Sequence, residues 1–300
     1  MRTPRALIPL LSVTAAAAVV TIAGVGADIK GVPGGGGPAH ADSVARELPS
    51  ATVNAVTWNV CGDGGPECPL GTRPGELADR IAERAGETVV GGREVAPNAV
   101  LLQEVCAGQV DTLRETADLD AWSWKFAAYP DAPECADDQG RLGLAVGAAA
   151  ALAETETEKL PAPDGAGRIA LCGEVGAWSA RLCVAQFTPS AADPSGEWRA
   201  EQAGALAEFA GTGRVVIGGD LADGPKSAAL DPLYAAYNEC DQGPGTTRTG
   251  DETRQDWRGT AVEKTDFIFM SKSASVSCGV PAEPEKASDH RPLSAAVRFR

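Results

Sequence analysis

Short apolar runs recur from Val53 to the end of the chain, and isolated polar side chains mark the ends of several of them. Residues 53–59 are rich in β-branched side chains and read as a strand, stopped abruptly by the Gly/Pro-rich stretch 61–66. Residues 75–89 change period: Leu77, Ala78, Ile81 and Ala85 fall on one helical face, with Glu76, Asp79, Arg80 and Glu83 on the other. A short apolar strand follows at 98–104, then a short helix at 109–117. Further strands are expected at 123–129, 142–148, 168–175, 180–187, 214–220, 264–270 and 293–299. Residues 198–209 form another helical pattern, with Trp198, Ala205, Leu206 and Phe209 on a stripe interrupted only by Gln202. Buried strands spaced by helices predict sheet covered by helix, an α/β chain. The Gly-, Thr-, Arg- and Asp-rich stretch 241–259 reads as an exposed loop beside a site.

The first 41 residues stand apart. Two arginines within residues 1–5 precede an uncharged apolar run, 6–27, and a Gly/Pro-rich segment ending in Ala39-His40-Ala41. That order is expected of a secretory signal cut after Ala27 or Ala41; an uncleaved membrane anchor is the alternative. Residues 42–51 then form a linker and 52–300 one domain. Losing the leader takes the net charge from −15 to −17, which keeps an exported protein soluble and disfavours avid, non-specific binding of polyanions.

All eight cysteines lie beyond the leader, which with export implies four disulfides; a zinc site finds neither a CxxC pair nor histidines to complete it. Cys172 and Cys183 are equidistant from the loop 176–179 that joins two strands, so they face each other across a hairpin. Cys61–Cys68, Cys106–Cys135 and Cys240–Cys278 follow from proximity alone.

The polar strand ends carry the chemistry. Asn59, Gln103-Glu104, Asp220 and Asp289-His290 flank apolar strands, and in layered α/β sheets such ends converge on a crevice. Asn59, Glu104 and Asp289 are hard oxygen donors of the kind Mg²⁺ or Ca²⁺ takes. Duller roles exist for each of these positions: Asn59 capping its turn, Glu104 at a helix N-terminus, Asp220 in an Asx turn. With His40 in the leader, His290 is the single imidazole of the exported chain.

Thr57-Trp58-Asn59-Val60, Leu102-Gln103-Glu104, Gly219-Asp220, Thr265-Asp266-Phe267-Ile268-Phe269 and Ser288-Asp289-His290-Arg291-Pro292 resemble, in order and spacing, the motifs of the endonuclease/exonuclease/phosphatase superfamily. The resemblance runs from about Val53 to Phe299. It implies a four-layered α/β sandwich, two packed, mainly antiparallel β-sheets flanked by helices. It also implies a divalent-metal-dependent phosphoesterase using Mg²⁺, or Mn²⁺ or Ca²⁺ in its place.

By the same resemblance Asn59 and Glu104 are metal ligands, with Asp289 a further one. Asp220 activates water, His290 contacts the scissile phosphate, and Asp266 orients that imidazole and keeps it cationic. Two positions depart from the pattern. Gln186 stands where the family commonly has histidine, and Ala222 where it has asparagine, which implies either reduced activity or a catalytically inactive extracellular metal- or ligand-binding domain. The expected partner is a phosphoester: a small molecule, a lipid head group or nucleic acid, with acidity favouring the first two. A monomer without an obligate protein partner is expected. Arg141, Arg254, Arg258 and Arg291 are cations available to the site, although scattered surface positions are the better account of them.

Overall fold

Strands form where the sequence concentrates β-branched and aromatic residues, and their alternate side chains go to opposite faces. The computed structural model describes residues 48–300 apart from 65–67, 133, 164–166 and 244–246. In chain order the elements are β1 (Ala51–Asn59), α1 (Pro74–Gly86), β2 (Thr88–Val90), β3 (Arg93–Val95), β4 (Ala99–Cys106), α2 (Ala107–Glu115), β5 (Ser123–Ala128) and β6 (Leu142–Ala148). They continue with β7 (Leu152–Leu160), β8 (Arg168–Val175), β9 (Ala180–Gln186), α3 (Glu197–Ala210), β10 (Val215–Asp220), α4 (Asp231–Ala236) and β11 (Asn238–Glu239). The last are β12 (Arg254–Gln255), β13 (Ala261–Glu263), β14 (Asp266–Met270), β15 (Ser275–Gly279) and β16 (Leu293–Phe299).

Two six-stranded sheets result, ordered β15-β16-β1-β4-β6-β5 and β11-β14-β10-β9-β8-β7. Pairing is antiparallel in both except for β1 with β4 and β9 with β10. Val53, Leu101, Leu144 and Val146 of the first sheet meet Leu171, Leu182, Val216 and Ile268 of the second in one core. On the outer face of the first sheet, Trp58, Val100 and Leu102 pack on Leu77 and Ile81 of α1 and Val110 and Leu113 of α2. On the outer face of the second, Ile217, Phe267 and Phe269 pack on Ala203 and Leu206 of α3. Leu101 inward and Leu102 outward show the two-residue period at work. The expected four-layered sandwich is the fold.

Close approach of the sheets needs Gly218: a Cβ there would stand 2.6 Å from Leu101 Cδ1 and 2.8 Å from Thr57 Cβ. All four expected disulfides are present, and Cys172 and Cys183 are directly paired across β8 and β9.

Several expectations on helices and strands need correction: helix α2 spans Ala107–Glu115 rather than 109–117, and the expected exposed loop 241–259 contains β12 and buries Thr253 and Gln255. Helix α1 ends at Gly86 rather than at 89, because Thr88-Val-Val pairs as β2 against β3. The buried side of α3 is Arg199, Gln202, Ala203, Leu206 and Ala210, while Trp198 is exposed. Gln202 is not an interruption: it donates to Pro161 O and Thr188 Oγ1 and accepts from Thr188 N. Arg199 is buried against Asp193 and Asp223. Strand β7 went unpredicted, since its Glu154, Glu156 and Glu158 show no apolar alternation; it is an exposed edge, where charge blocks further pairing. The leader 1–41 and linker residues 42–47 lie outside the described residues. Among those described, no helix is long and apolar enough to cross a membrane.

Candidate active site

Parallel pairing sets the site. Because β1 and β4 run together, Asn59 sits beside Gln103 at their common C-terminal end. Because β9 and β10 do so in the other sheet, Gln186 pairs with Asp220, and antiparallel β14 brings Asp266 to the opposite flank of Asp220. The ends of both sheets open on a cleft of about 330 Å³ lined by Asn59, Glu104, Gln186, Asp220, Asp289 and His290. Six of the seven residues expected from sequence therefore face one space, and the seventh, Asp266, is fully buried behind His290.

Glu104 reaches the cleft through a bulge. Gln103 pairs with Leu144 and Val105 with Gly143, leaving Glu104 as the extra residue at φ +52°. A left-handed glutamate costs about 1–3 kcal/mol and persists where surrounding structure imposes it. Its neighbour Gln103 instead turns into the core, donating to Thr57 Oγ1. Glu104 precedes α2 by a few residues but belongs to the strand.

Asn59 and Asp220 do both the dull and the interesting thing. Asn59 Oδ1 caps the turn by accepting from Cys61 N (3.1 Å), and its Nδ2 donates to Asp220 Oδ2 (3.1 Å). Asp220 Oδ1 accepts from Ala222 N (3.1 Å), the Asx turn, while the carboxylate still lines the cleft. Burial pushes the Asp220 carboxyl above its usual range; Asp266 adds to the shift, and His290 and Asn59 oppose it. Burial also raises Glu104, against the hydrogen bond from Gln186.

His290 is fixed on all sides. Its N–H donates to Ser288 Oγ (3.0 Å), whose hydroxyl donates to Asn59 O, and its carbonyl accepts from Trp58 Nε1 (2.9 Å). Nδ1 lies 2.8 Å from Asp266 Oδ2, which leaves Nε2 as the ring nitrogen not engaged by Asp266. Burial works against the imidazolium, but Asp266 and Asp220 outweigh it and lift the pKa to about 10. The ring is cationic at neutral pH.

Gln186 has a defined orientation. Its Oε1 accepts from Tyr129 Oη (2.6 Å) and Arg168 Nη1 (3.0 Å), so the amide nitrogen faces Glu104 Oε1 (2.5 Å) and Asp220 Oδ2 (3.3 Å). Sequence reasoning missed Tyr129 and Arg168. Each stands at the end of an expected strand, but nothing in a single sequence brings β5 and β8 together at Gln186. Of the four candidate arginines only Arg254 lines this cleft, 4.0 Å from Asp289. Arg258 sits on the neighbouring turn, Arg291 is buried on backbone carbonyls, and Arg141 donates to Tyr129 O and Pro130 O.

The donors suit a hard divalent cation. Asn59, Glu104 and Asp289 bring oxygen donors to one cleft, and Asp220, Asp266 and His290 cluster within 4.8 Å of one another. Several acids held out of water with one imidazolium among them leave negative charge that a bound cation would neutralise.

The chain belongs to the Endonuclease/Exonuclease/phosphatase family, whose model matches residues 56–290. Among solved structures, the endonuclease/exonuclease/phosphatase of Bacteroides vulgatus is 21% identical over 83% of this chain and 100% of that one, with a TM-score of 0.62. The human Nocturnin catalytic domain with bound sulfate is 17% identical over 83% of this chain and 93% of that one, with a TM-score of 0.61. A mannosyl-6-phosphatase of Bacteroides thetaiotaomicron is 15% identical over 82% of this chain and 100% of that one, with a TM-score of 0.58. These likenesses are of fold. No curated protein matches the sequence.

Proposed function

We propose that the chain is a secreted, divalent-metal-dependent phosphoesterase acting on a small phosphodiester or phosphomonoester. The observation that carries this reading is Asp220 held between Asn59 and Gln186, with the Asp266–His290 pair beside it, in a cleft that also contains Glu104 and Asp289. Four disulfides support export to an oxidising compartment, with residues 1–41 as a cleaved signal or an anchor. A phosphatase among the structural neighbours is consistent with phosphoester chemistry on this scaffold.

Asn59, Glu104 and Asp289 would hold the cation, which supplies a Lewis acid for the phosphoryl oxygen and needs no proton transfer. Asp220 takes the proton of the attacking water; its raised affinity for protons makes it a better base than a solvated aspartate. His290, kept charged by Asp266, donates from Nε2 to a non-bridging phosphate oxygen. Gln186 offers its Nε2–H as a neutral donor where a histidine would bring charge. Loss of one transition-state donor costs about 3–4 kcal/mol in other sites, so a slow enzyme is expected.

Two substitutions probe these roles. Tyr129→Phe removes one of the two groups holding the Gln186 carbonyl, and kcat should fall about fivefold, the worth of one neutral hydrogen bond, with metal affinity unchanged. Ala222 sits at φ +51°, where asparagine is better tolerated than alanine. Ala222→Asn should therefore raise stability by a few tenths of a kcal/mol, roughly the left-handed preference, and should raise kcat. Urea denaturation and steady-state kinetics read the two effects.

The test of the function is metal-stimulated release of p-nitrophenol from bis-p-nitrophenyl phosphate, reversed by EDTA and absent in Asp220→Ala. Tight binding of Mg²⁺ or Mn²⁺ by calorimetry without turnover on phosphodiester, phosphomonoester or phospholipid would favour the second reading, a binding domain. Ala222 and Gln186 are the observations on its side.

A further inference from the structure

A second concavity of about 390 Å³ adjoins the catalytic cleft and shares Asp289 with it. Its rim is the turn between β12 and β13, where Trp257 is 75% exposed. This is no loose loop. Asp256 Oδ1 accepts from Arg258 N and Thr260 N, both at 2.9 Å, and Asp256 N donates to Thr260 O. Gly259, at φ +77°, donates to Asp256 O, and its own carbonyl accepts from the buried Arg291 (2.7 Å). Buried Gln255 anchors the base of the turn on Glu285 O and Ser288 O. The protein thus holds a large aromatic side chain in water on a pinned backbone beside its catalytic acids. Arg258 lies over the indole at 4.6 Å, and Lys286 lines the same concavity.

We propose that this turn is a leaving-group subsite that stacks one nucleobase-sized planar ring of a mononucleotide-type phosphoester whose phosphate occupies the catalytic cleft. The inference rests on the phosphoesterase reading and narrows it. Arg258 backs one face of the indole and the side chain is still 75% exposed, which leaves the other face for a flat aromatic ring. An acyl chain would need a continuous apolar wall, but Asp256, Lys286 and Ser288 line the concavity. A sugar would need several free planar amides or acids, and Gln255, Glu285 and Asp256 Oδ1 are already engaged. A long polyanion is disfavoured by the net charge of −15, whereas one phosphate in the cleft can be met by Arg254.

Calorimetry on the purified full chain should compare 5′-AMP with ribose 5-phosphate. The expected result is about tenfold tighter binding of 5′-AMP, the worth of one base–aromatic stack. Trp257→Ala should abolish that gap without changing affinity for ribose 5-phosphate, and Trp257→Phe should retain most of it. Tryptophan fluorescence should be quenched by 5′-AMP in the wild type and not in Trp257→Ala. Equal affinity for the two ligands, no binding of either, or a preference that survives in Trp257→Ala overturns the subsite. So does Trp257-dependent sedimentation with phosphatidylserine vesicles in the absence of a 5′-AMP preference, which would assign the turn to a membrane surface. Turnover of phosphodiesters without a base preference sinks this inference alone. A base preference without turnover sinks the enzyme reading instead.

Discussion

Asp220→Asn is expected to lower metal-stimulated phosphodiester turnover by about 10²–10⁴-fold, the usual worth of a general base. The loss should fall mainly on kcat, since Glu104 and Asp289, two of the three proposed cation donors, make no hydrogen bond to Asp220. The variant should also be less stable. All three hydrogen-bonding neighbours of the carboxylate are donors: Asn59 Nδ2 and Gln186 Nε2 at Oδ2, and Ala222 N at Oδ1. An amide must point its own NH₂ at one of them, at a cost of about 1–3 kcal/mol for the unsatisfied pair. The acid limb of the wild-type kcat profile should lie above the ordinary carboxylate range, because burial raises Asp220, and it should vanish in the variant. A variant that keeps its kcat would remove Asp220 from the mechanism.

Lys264→Met should have the largest effect on folding. Lys264 is buried with Nζ 2.9 Å from Asp241 Oδ1 and 3.4 Å from Glu239 Oε1, and it lies over the Phe267 ring. Burial pushes the Glu239 carboxyl up to about 8, against the pull of Lys264. The folded state therefore holds that proton more tightly than the unfolded state, whose carboxyl titrates near 4.5. Stability from this group is complete below 4.5 and is lost as pH rises through about 8. Removing the lysine charge lifts the folded value further, so the variant's deficit should grow with pH. It should reach about 3–5 kcal/mol once Glu239 must ionise unpaired, and shrink toward pH 4. Urea denaturation at several pH values reads this directly, and adding Glu239→Gln should flatten the dependence. A deficit equal at every pH would show that the lysine stem, not its charge, is what matters.

What the sequence disclosed about the site was the strand ends. Asn59 and Asp220 close apolar runs, Asp289-His290 precede one, and the ordered motifs made their convergence an expectation. Glu104 was found for a partial reason: its position in the motif was legible, but not the bulge and left-handed backbone that aim it. Tyr129 and Arg168 were silent because their role depends on the residue after β5 and the first residue of β8, from different sheets, meeting at Gln186. The error in α3 has a physical source too. Periodicity assumes that buried positions are apolar, and this helix buries Arg199 and Gln202 by giving them partners. Strand β7 escaped for the opposite reason, being an edge whose glutamates never needed to alternate.

Anomalous diffraction from crystals soaked in Mn²⁺ tests the assembly of the site most directly. The expected result is one strong peak in the cleft, bonded to Glu104 with Asn59 or Asp289 oxygens completing the protein's share of ligands at roughly the 2.0–2.2 Å of hard octahedral cations. A cleft without a peak at saturating Mn²⁺, with the Gln186 amide still closed on Glu104, would contradict the account.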